Sequence, residues 1–284
     1  MGRILVVAAL IAPLTVSPAA AQAAPQGRTF DSDGVRLHYI DEGSGEPVLL
    51  IHGLAVSAVM NWIGPGVVEG LVRSGYRVVA HDSRGHGESD KLHDPSMYGS
   101  AEVDDVVRLM DHLGIDRAHV VGYSRGGLIA SRLRAAHPDR VRTLTLGGYG
   151  EDVTGGGPPP LPEMADSLEA GNLAPLLRWL DQDASDEEIR QTNRMVTDAN
   201  DMRAVAAAFR AAAAFPPLTA PDLAASEVPV LVLMGEDDPF VRQIDGMVAA
   251  VDGLESLIVP GAGHTDAFAR PAFLTALVGF IAKH

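Results

Sequence analysis

The sequence predicts an α/β fold: a mostly parallel central sheet with helices on both faces and a helical lid inserted in its later half. Three observations predict it. Strand-like apolar runs alternate with helix-spaced segments at both ends of the chain, and such alternation places parallel strands in one sheet under covering helices. Pro47-Val48-Leu49-Leu50-Ile51 is continuously apolar, as a strand buried on both faces must be. The alternation then stops at about Gly150 and resumes only after Pro221.

Taken in order, Val35 to Ile40 alternates with period two and reads as an edge-type strand. Pro47 to Ile51 is the buried strand that follows. Trp62 to Arg73 reads as a helix and Tyr76 to Ala80 as the next strand. Between Ala101 and Leu113, apolar residues at Val103, Val106, Val107, Leu109, Met110 and Leu113 have helical spacing, and Gly114 is the stop. Ala118 to Val121 is a strand, Gly127 to Ala136 a helix, and Val141 to Leu146 another strand. Gly155-Gly156-Gly157-Pro158-Pro159-Pro160 is a breaker cluster. Helical, strandless sequence runs from there to Pro221. The rhythm returns with a strand at Val228 to Leu233, a helix near Val241 to Val251, a strand at Leu257 to Val259 and a helix from Pro271 to Ala282. The expected domains are a targeting segment at 1–23, a first core part at 24–149, the lid at 150–222 and a second core part at 223–284.

Composition narrows the class. Of 284 residues, 46% are hydrophobic, enough for a large core. A formal net charge of −15 speaks against nucleic acid or an anionic membrane surface as partner, because both require a basic face. Arg3, the apolar stretch Ile4 to Leu14 and the small residues Ala21-Gln22-Ala23 have the pattern of a cleavable signal peptide, so a periplasmic or secreted protein starting at Ala24 is expected, free of the membrane after cleavage. The apolar stretch is too short for a stable membrane anchor. With no cysteine, thiolate metal sites and cysteine nucleophiles are excluded.

Gly122-Tyr123-Ser124-Arg125-Gly126 lies between a strand and a helix. A Gly-x-Ser-x-Gly there places the serine on a sharp turn with its hydroxyl clear of the backbone, beside the N–H groups of a helix N-terminus. A serine needs a base, and the base an orienting acid, gathered at the carboxyl ends of strands. Of ten histidines, His264 sits best, in Pro260-Gly261-Ala262-Gly263-His264 directly after the last strand. His52 and His86, in glycine-bounded turns, are the nearest rivals, with structural hydrogen-bonding roles expected for both. Glu236, Asp237 and Asp238 compete as the acid after the strand ending at Leu233; Asp238 precedes Pro239, which restricts it to extended backbone. No Walker loop, dinucleotide fingerprint or His-Glu-x-x-His zinc pair is present, so no cofactor or metal is implied.

The order Ser124, Asp238, His264, together with His52-Gly53-Leu54, the loop Asp82-Ser83-Arg84-Gly85-His86-Gly87-Glu88-Ser89 and Gly263-His264, resembles the α/β-hydrolase superfamily over nearly all of the mature chain. The resemblance implies a serine hydrolase. Ser124 would be the nucleophile, His264 the base and Asp238 the acid, with the backbone N–H groups of Leu54 and Arg125 as the oxyanion hole. A serine in place of a carboxylate nucleophile disfavours the dehalogenase and epoxide-hydrolase branches. The Arg125 guanidinium is expected in a surface ion pair, with recognition of an acidic substrate as the other reading. Esters or lactones are the leading small-molecule substrates. Carbon–carbon bond hydrolysis, amide hydrolysis, acyl or peracid transfer, and a slow-turnover receptor of the same fold are the alternatives. Met202 and Phe209 are expected to line an acyl pocket beneath a mobile lid. The sequence leaves the oligomeric state open.

Overall fold

The computed structural model describes residues 26–151, 161–212 and 215–284. The expected targeting segment at 1–23 and the breaker cluster at 155–160 lie outside them. One eight-stranded sheet, in the order β1-β2-β4-β3-β5-β6-β7-β8, carries the molecule. Its strands are β1 (Arg28–Ser32), β2 (Val35–Gly43), β3 (Glu46–Ile51), β4 (Tyr76–His81), β5 (Ala118–Tyr123), β6 (Val141–Gly147), β7 (Val230–Gly235) and β8 (Glu255–Val259). From β4 onward neighbours pair in parallel; β1 and β2 are antiparallel additions at one edge.

β1 was not expected. It forms a hairpin with β2 across Asp33-Gly34, both at positive φ (55° and 81°), the backbone that an Asp-Gly turn favours between antiparallel strands. The expected helix at 62–73 also differs. A π-helical turn covers Val59–Ile63, and α1 (Val67–Arg73) begins only after Gly66, at φ 81°. Gly64-Pro65-Gly66 divides the two, since proline cannot donate within a helix interior.

Helices α1, α2 (Ser100–His112), α3 (Arg125–Ala136), α9 (Gln243–Ala250) and α10 (Pro271–Ile281) pack on the sheet. Two apolar clusters fill its faces. One holds Leu49, Val120, Ile129, Leu133 and Val232; the other holds Val48, Val121, Trp62, Phe273 and Leu277. Along β5, Val120 and Val121 enter opposite clusters, which is why the strand reads as a continuous apolar run.

Between β6 and β7 lie α4 (Leu161–Glu169), α5 (Ala174–Leu180), α6 (Asp186–Ala199), α7 (Met202–Ala212) and α8 (Ala220–Ala224). α8 straddles the boundary expected at 222. A separate apolar cluster containing Met164, Leu168, Leu177, Val205 and Phe209 holds this insertion together and joins it to Ala55 in the turn after β3. Among the described residues, no helix is long and apolar enough to cross a membrane.

Candidate active site

Ser124 follows β5 at φ 51° and ψ −117°, a conformation that costs a non-glycine residue roughly 1–3 kcal/mol and persists only where the surroundings impose it. The two glycines impose it here. A Cβ on Gly122 would run into the Gly126 carbonyl, and a Cβ on Gly126 into the Ile51 carbonyl. β5, β3 and the start of α3 therefore cross at a distance that only glycine permits.

The loop after β8 brings His264 over this turn. Its Nδ1 lies 2.8 Å from Asp238 Oδ2 and its Nε2 2.9 Å from Ser124 Oγ. A buried carboxylate can only accept, so Nδ1 carries the proton and Nε2 is left to accept from the Ser124 hydroxyl. Asp238, 1% exposed, has its second oxygen occupied by the Phe240 N–H at 2.9 Å. The expected competitors are elsewhere: Glu236 accepts from the Gly261 N–H, and Asp237 is exposed. Tyr123, inside the motif, donates its hydroxyl to the His264 carbonyl at 2.6 Å. Burial, with the nearby Asp238 and Asp266 charges, pushes this phenol well above its ordinary range, so it stays a neutral donor. The Phe240 ring bridges His264 (5.4 Å) and Trp179 of α5 (5.1 Å).

Leu54 follows β3 and faces Ser124 across a shared cavity. Among the described residues, neither the Leu54 nor the Arg125 backbone N–H reaches a protein acceptor. Gly53 N–H donates to Asn61 Oδ1 at 2.9 Å, and the buried Asn61 Nδ2, on the cavity wall, has no partner among the described residues. His52 is structural, as expected. Its Nδ1 lies 2.7 Å from the Gly53 carbonyl, and its Nε2 accepts from Ser83 N–H at 3.0 Å. Burial pushes the His52 and His86 imidazoles below their ordinary values. Asp82 organises the neighbouring loop. Burial opposes its charge, but the His38 ring at 2.9 Å and the N–H groups of Glu88 and Ala58 outweigh it and hold the carboxyl far below the usual range.

Two expectations need correction. Arg125 makes no surface pair. It is buried and clamped by both Glu102 carboxylate oxygens, and it donates to the Ala208 carbonyl of α7 at 3.3 Å. A guanidinium this close to the core has to be paired, and Glu102, 23 residues upstream on α2, meets that need. Met202 is also misplaced. It packs within the insertion's own cluster, whereas Phe209 lines the cavity.

The cavity encloses about 460 Å³. Ser124, His264, Leu54 and Arg125 form its base. Leu173, Leu177 and Trp179, Met195 and Val196, and Phe209 form its cover. Among the described residues, no group of three or more His, Asp or Glu is arranged to hold a metal ion.

Residues 46–186 match the family model described as the alpha/beta hydrolase fold. A 2-hydroxy-6-oxononadienedioate/2-hydroxy-6-oxononatrienedioate hydrolase of Burkholderia vietnamiensis is 33% identical over 238 residues, covering 76% of this chain and 80% of that protein. The chain belongs to the α/β-hydrolase family. Haloalkane dehalogenase 2 of Mycobacterium tuberculosis is 36% identical over 126 residues, and the match spans 43% of this chain and only 41% of that relative. The enol-lactonase of Burkholderia xenovorans LB400 superposes with a TM-score of 0.76 at 27% identity, over 90% of this chain and 100% of the other. This α/β hydrolase is an enzyme of the hydrolase class.

Proposed function

We propose that this α/β hydrolase cleaves an apolar ester or lactone through an acyl-enzyme on Ser124. The observation that carries the reading is the unbroken chain Ser124 Oγ–His264 Nε2, His264 Nδ1–Asp238 Oδ2 at the base of an apolar cavity. His264 takes the Ser124 proton as Oγ attacks the carbonyl. The tetrahedral oxyanion forms between the Leu54 and Arg125 N–H groups, and the alcohol leaves with the proton that His264 returns. Water, deprotonated by the same imidazole, then releases the acid and restores the serine. In a lactone the leaving alcohol stays tethered to the acyl group.

The wall supports an uncharged substrate. Among the described residues, Arg125 is the only arginine or lysine on it, and Glu102 already neutralises it. The enol-lactonase likeness supports the same class. Carbon–carbon bond hydrolysis is the second reading, favoured by the dienedioate hydrolase relative. The substrate named there is a dianion, for which this wall offers no free cation. Dehalogenation fits poorly, because serine attack on an alkyl halide leaves an ether that the triad cannot hydrolyse.

Multiple-turnover release of p-nitrophenol from short acyl esters tests the proposal. A single stoichiometric burst would mark a receptor instead. Export is proposed on the Arg3, Ile4–Leu14 and Ala21-Gln22-Ala23 pattern alone. N-terminal sequencing of protein recovered from the periplasm or medium should begin at Ala24, and full-length protein confined to the cytoplasm would refute it.

A further inference from the structure

We propose that the helical insertion supplies a positioning residue to the oxyanion hole: Asn200, which fixes the turn carrying the Leu54 N–H by holding the Ala55 carbonyl. The proposal rests on the serine-hydrolase reading and adds to it a role for the insertion beyond that of a wall.

Ala55 has φ 58°, one of three non-glycine residues at positive φ among the described residues; another is Ser124. Alanine gains nothing in that conformation, since its Cβ crowds the following carbonyl. Something outside the turn must therefore hold it. Asn200 stands at the C-terminus of α6, and its Nδ2 donates to the Ala55 carbonyl at 3.0 Å and to the Val196 carbonyl at 2.9 Å. Two carbonyls on one side of the amide can only accept, so the orientation of the amide is determined. Ala55 is 4% exposed, and its carbonyl would otherwise be buried without a donor.

Leu54 thus lies between two anchors. Upstream, Gly53 N–H is held by Asn61 from the core side. Downstream, the Ala55 carbonyl is held by Asn200, 145 residues away in sequence, from the insertion side. Release of the downstream anchor lets Ala55 relax toward negative φ and swings the Leu54 N–H away from the oxyanion position. Neighbouring contacts keep Asn200 in place. Asp201 accepts from His93 of the core at 2.9 Å, and its other oxygen caps the first turn of α7 through the Arg203 and Ala204 N–H groups. Seating the insertion and assembling the oxyanion hole are therefore one event.

The test uses the whole protein and p-nitrophenyl esters, with a trifluoromethyl ketone as probe of the oxyanion hole, because its serine adduct carries the oxyanion. Asn200→Ala and the isosteric Asn200→Asp should lower kcat by about tenfold to hundredfold, with KM within about twofold, since the interaction matters only once the oxyanion forms. Affinity for the ketone should fall in parallel. Ala55→Gly, which adopts positive φ freely, should recover part of the lost kcat in the Asn200→Ala background. If Asn200→Ala fails to fold, Asn200→Asp, alone and combined with Ala55→Gly, gives the same readouts. Folded Asn200 variants with kcat and ketone affinity within about twofold of the parent would overturn the inference while leaving the serine-hydrolase reading intact. So would a fall in thermal stability alone. A parent protein that neither turns over esters nor binds the ketone at Ser124 would remove both.

Discussion

The sheet and the helical insertion meet at one cavity but are built by different rules. On the sheet, each reactive group stands at a strand end and is held by close backbone crossings or by hydrogen bonds. Ser124 is pinned by two glycine crossings, Asp238 by the Phe240 N–H, and His264 by Asp238 and the Tyr123 hydroxyl. The insertion is held mainly by apolar contact, and its helices differ among themselves. α7 buries Val205, Ala206 and Phe209 within the insertion's own cluster and turns Ala207, Ala208 and Ala211 toward Tyr98 of the core, small side chains that let it approach closely. α6 is polar, buries only Ile189 and Val196, and starts with a Ser185–Glu188 capping box. A reaction centre tolerates little displacement, whereas a wall needs only bulk and shape. Catalysis is therefore expected to be sensitive to the sheet, and selectivity to the insertion.

The largest effect should come from the triad acid. Asp238→Asn is expected to lower kcat/KM by about 10⁴-fold, because an amide facing Nδ1 favours the wrong tautomer. Asp237→Asn, at an exposed neighbour, should stay within about threefold. The reverse ranking would place the acid wrongly and weaken the claim that strand ends hold the chemistry.

A smaller effect should appear in stability, again on the sheet side. Burial pushes the His81 imidazole down to about 4. The folded state refuses the proton that the unfolded chain accepts below about pH 6.5. Stability should therefore be full above that pH and fall as pH drops toward 4, by at most about 1.4 kcal/mol per pH unit from this residue. The buried polar side chains of the described residues include no titratable group within α4 to α8. Urea unfolding at about pH 7, 5.5 and 4.5 checks this, and His81→Gln should flatten the slope.

The smallest effect on rate should come from the wall. Phe209→Ala enlarges the cavity and should move the preferred acyl chain toward longer esters while changing acetyl-ester turnover by only about threefold. An unchanged chain-length profile in a folded variant would mean that α7 does not shape the acyl site.

The same contrast explains what the sequence made legible. The Gly-x-Ser-x-Gly turn, the histidine after the last strand and the acid before Pro239 are local patterns, set by backbone constraints that residue type reveals. The β1–β2 hairpin carried a readable Asp33-Gly34 signal, and Gly64-Pro65-Gly66 a readable break, but neither element was expected. Other features depend on contacts far apart in the chain. Nothing near Arg125 announces Glu102, and nothing near Asn200 announces Ala55. Met202 and Phe209 are seven residues apart and share a helical face. The cavity, however, lies at the Phe209 end of α7, about 10 Å further along its axis, and periodicity carries no information on position along a helix.

Covalent catalysis by Ser124 leaves a chemical trace that rapid acid quench of the protein mixed with a p-nitrophenyl ester, followed by peptide mass spectrometry, can capture. A transient acyl mass is expected on the peptide containing Ser124, with loss of both adduct and turnover in Ser124→Ala. Turnover that persists near the parent rate in Ser124→Ala would contradict it.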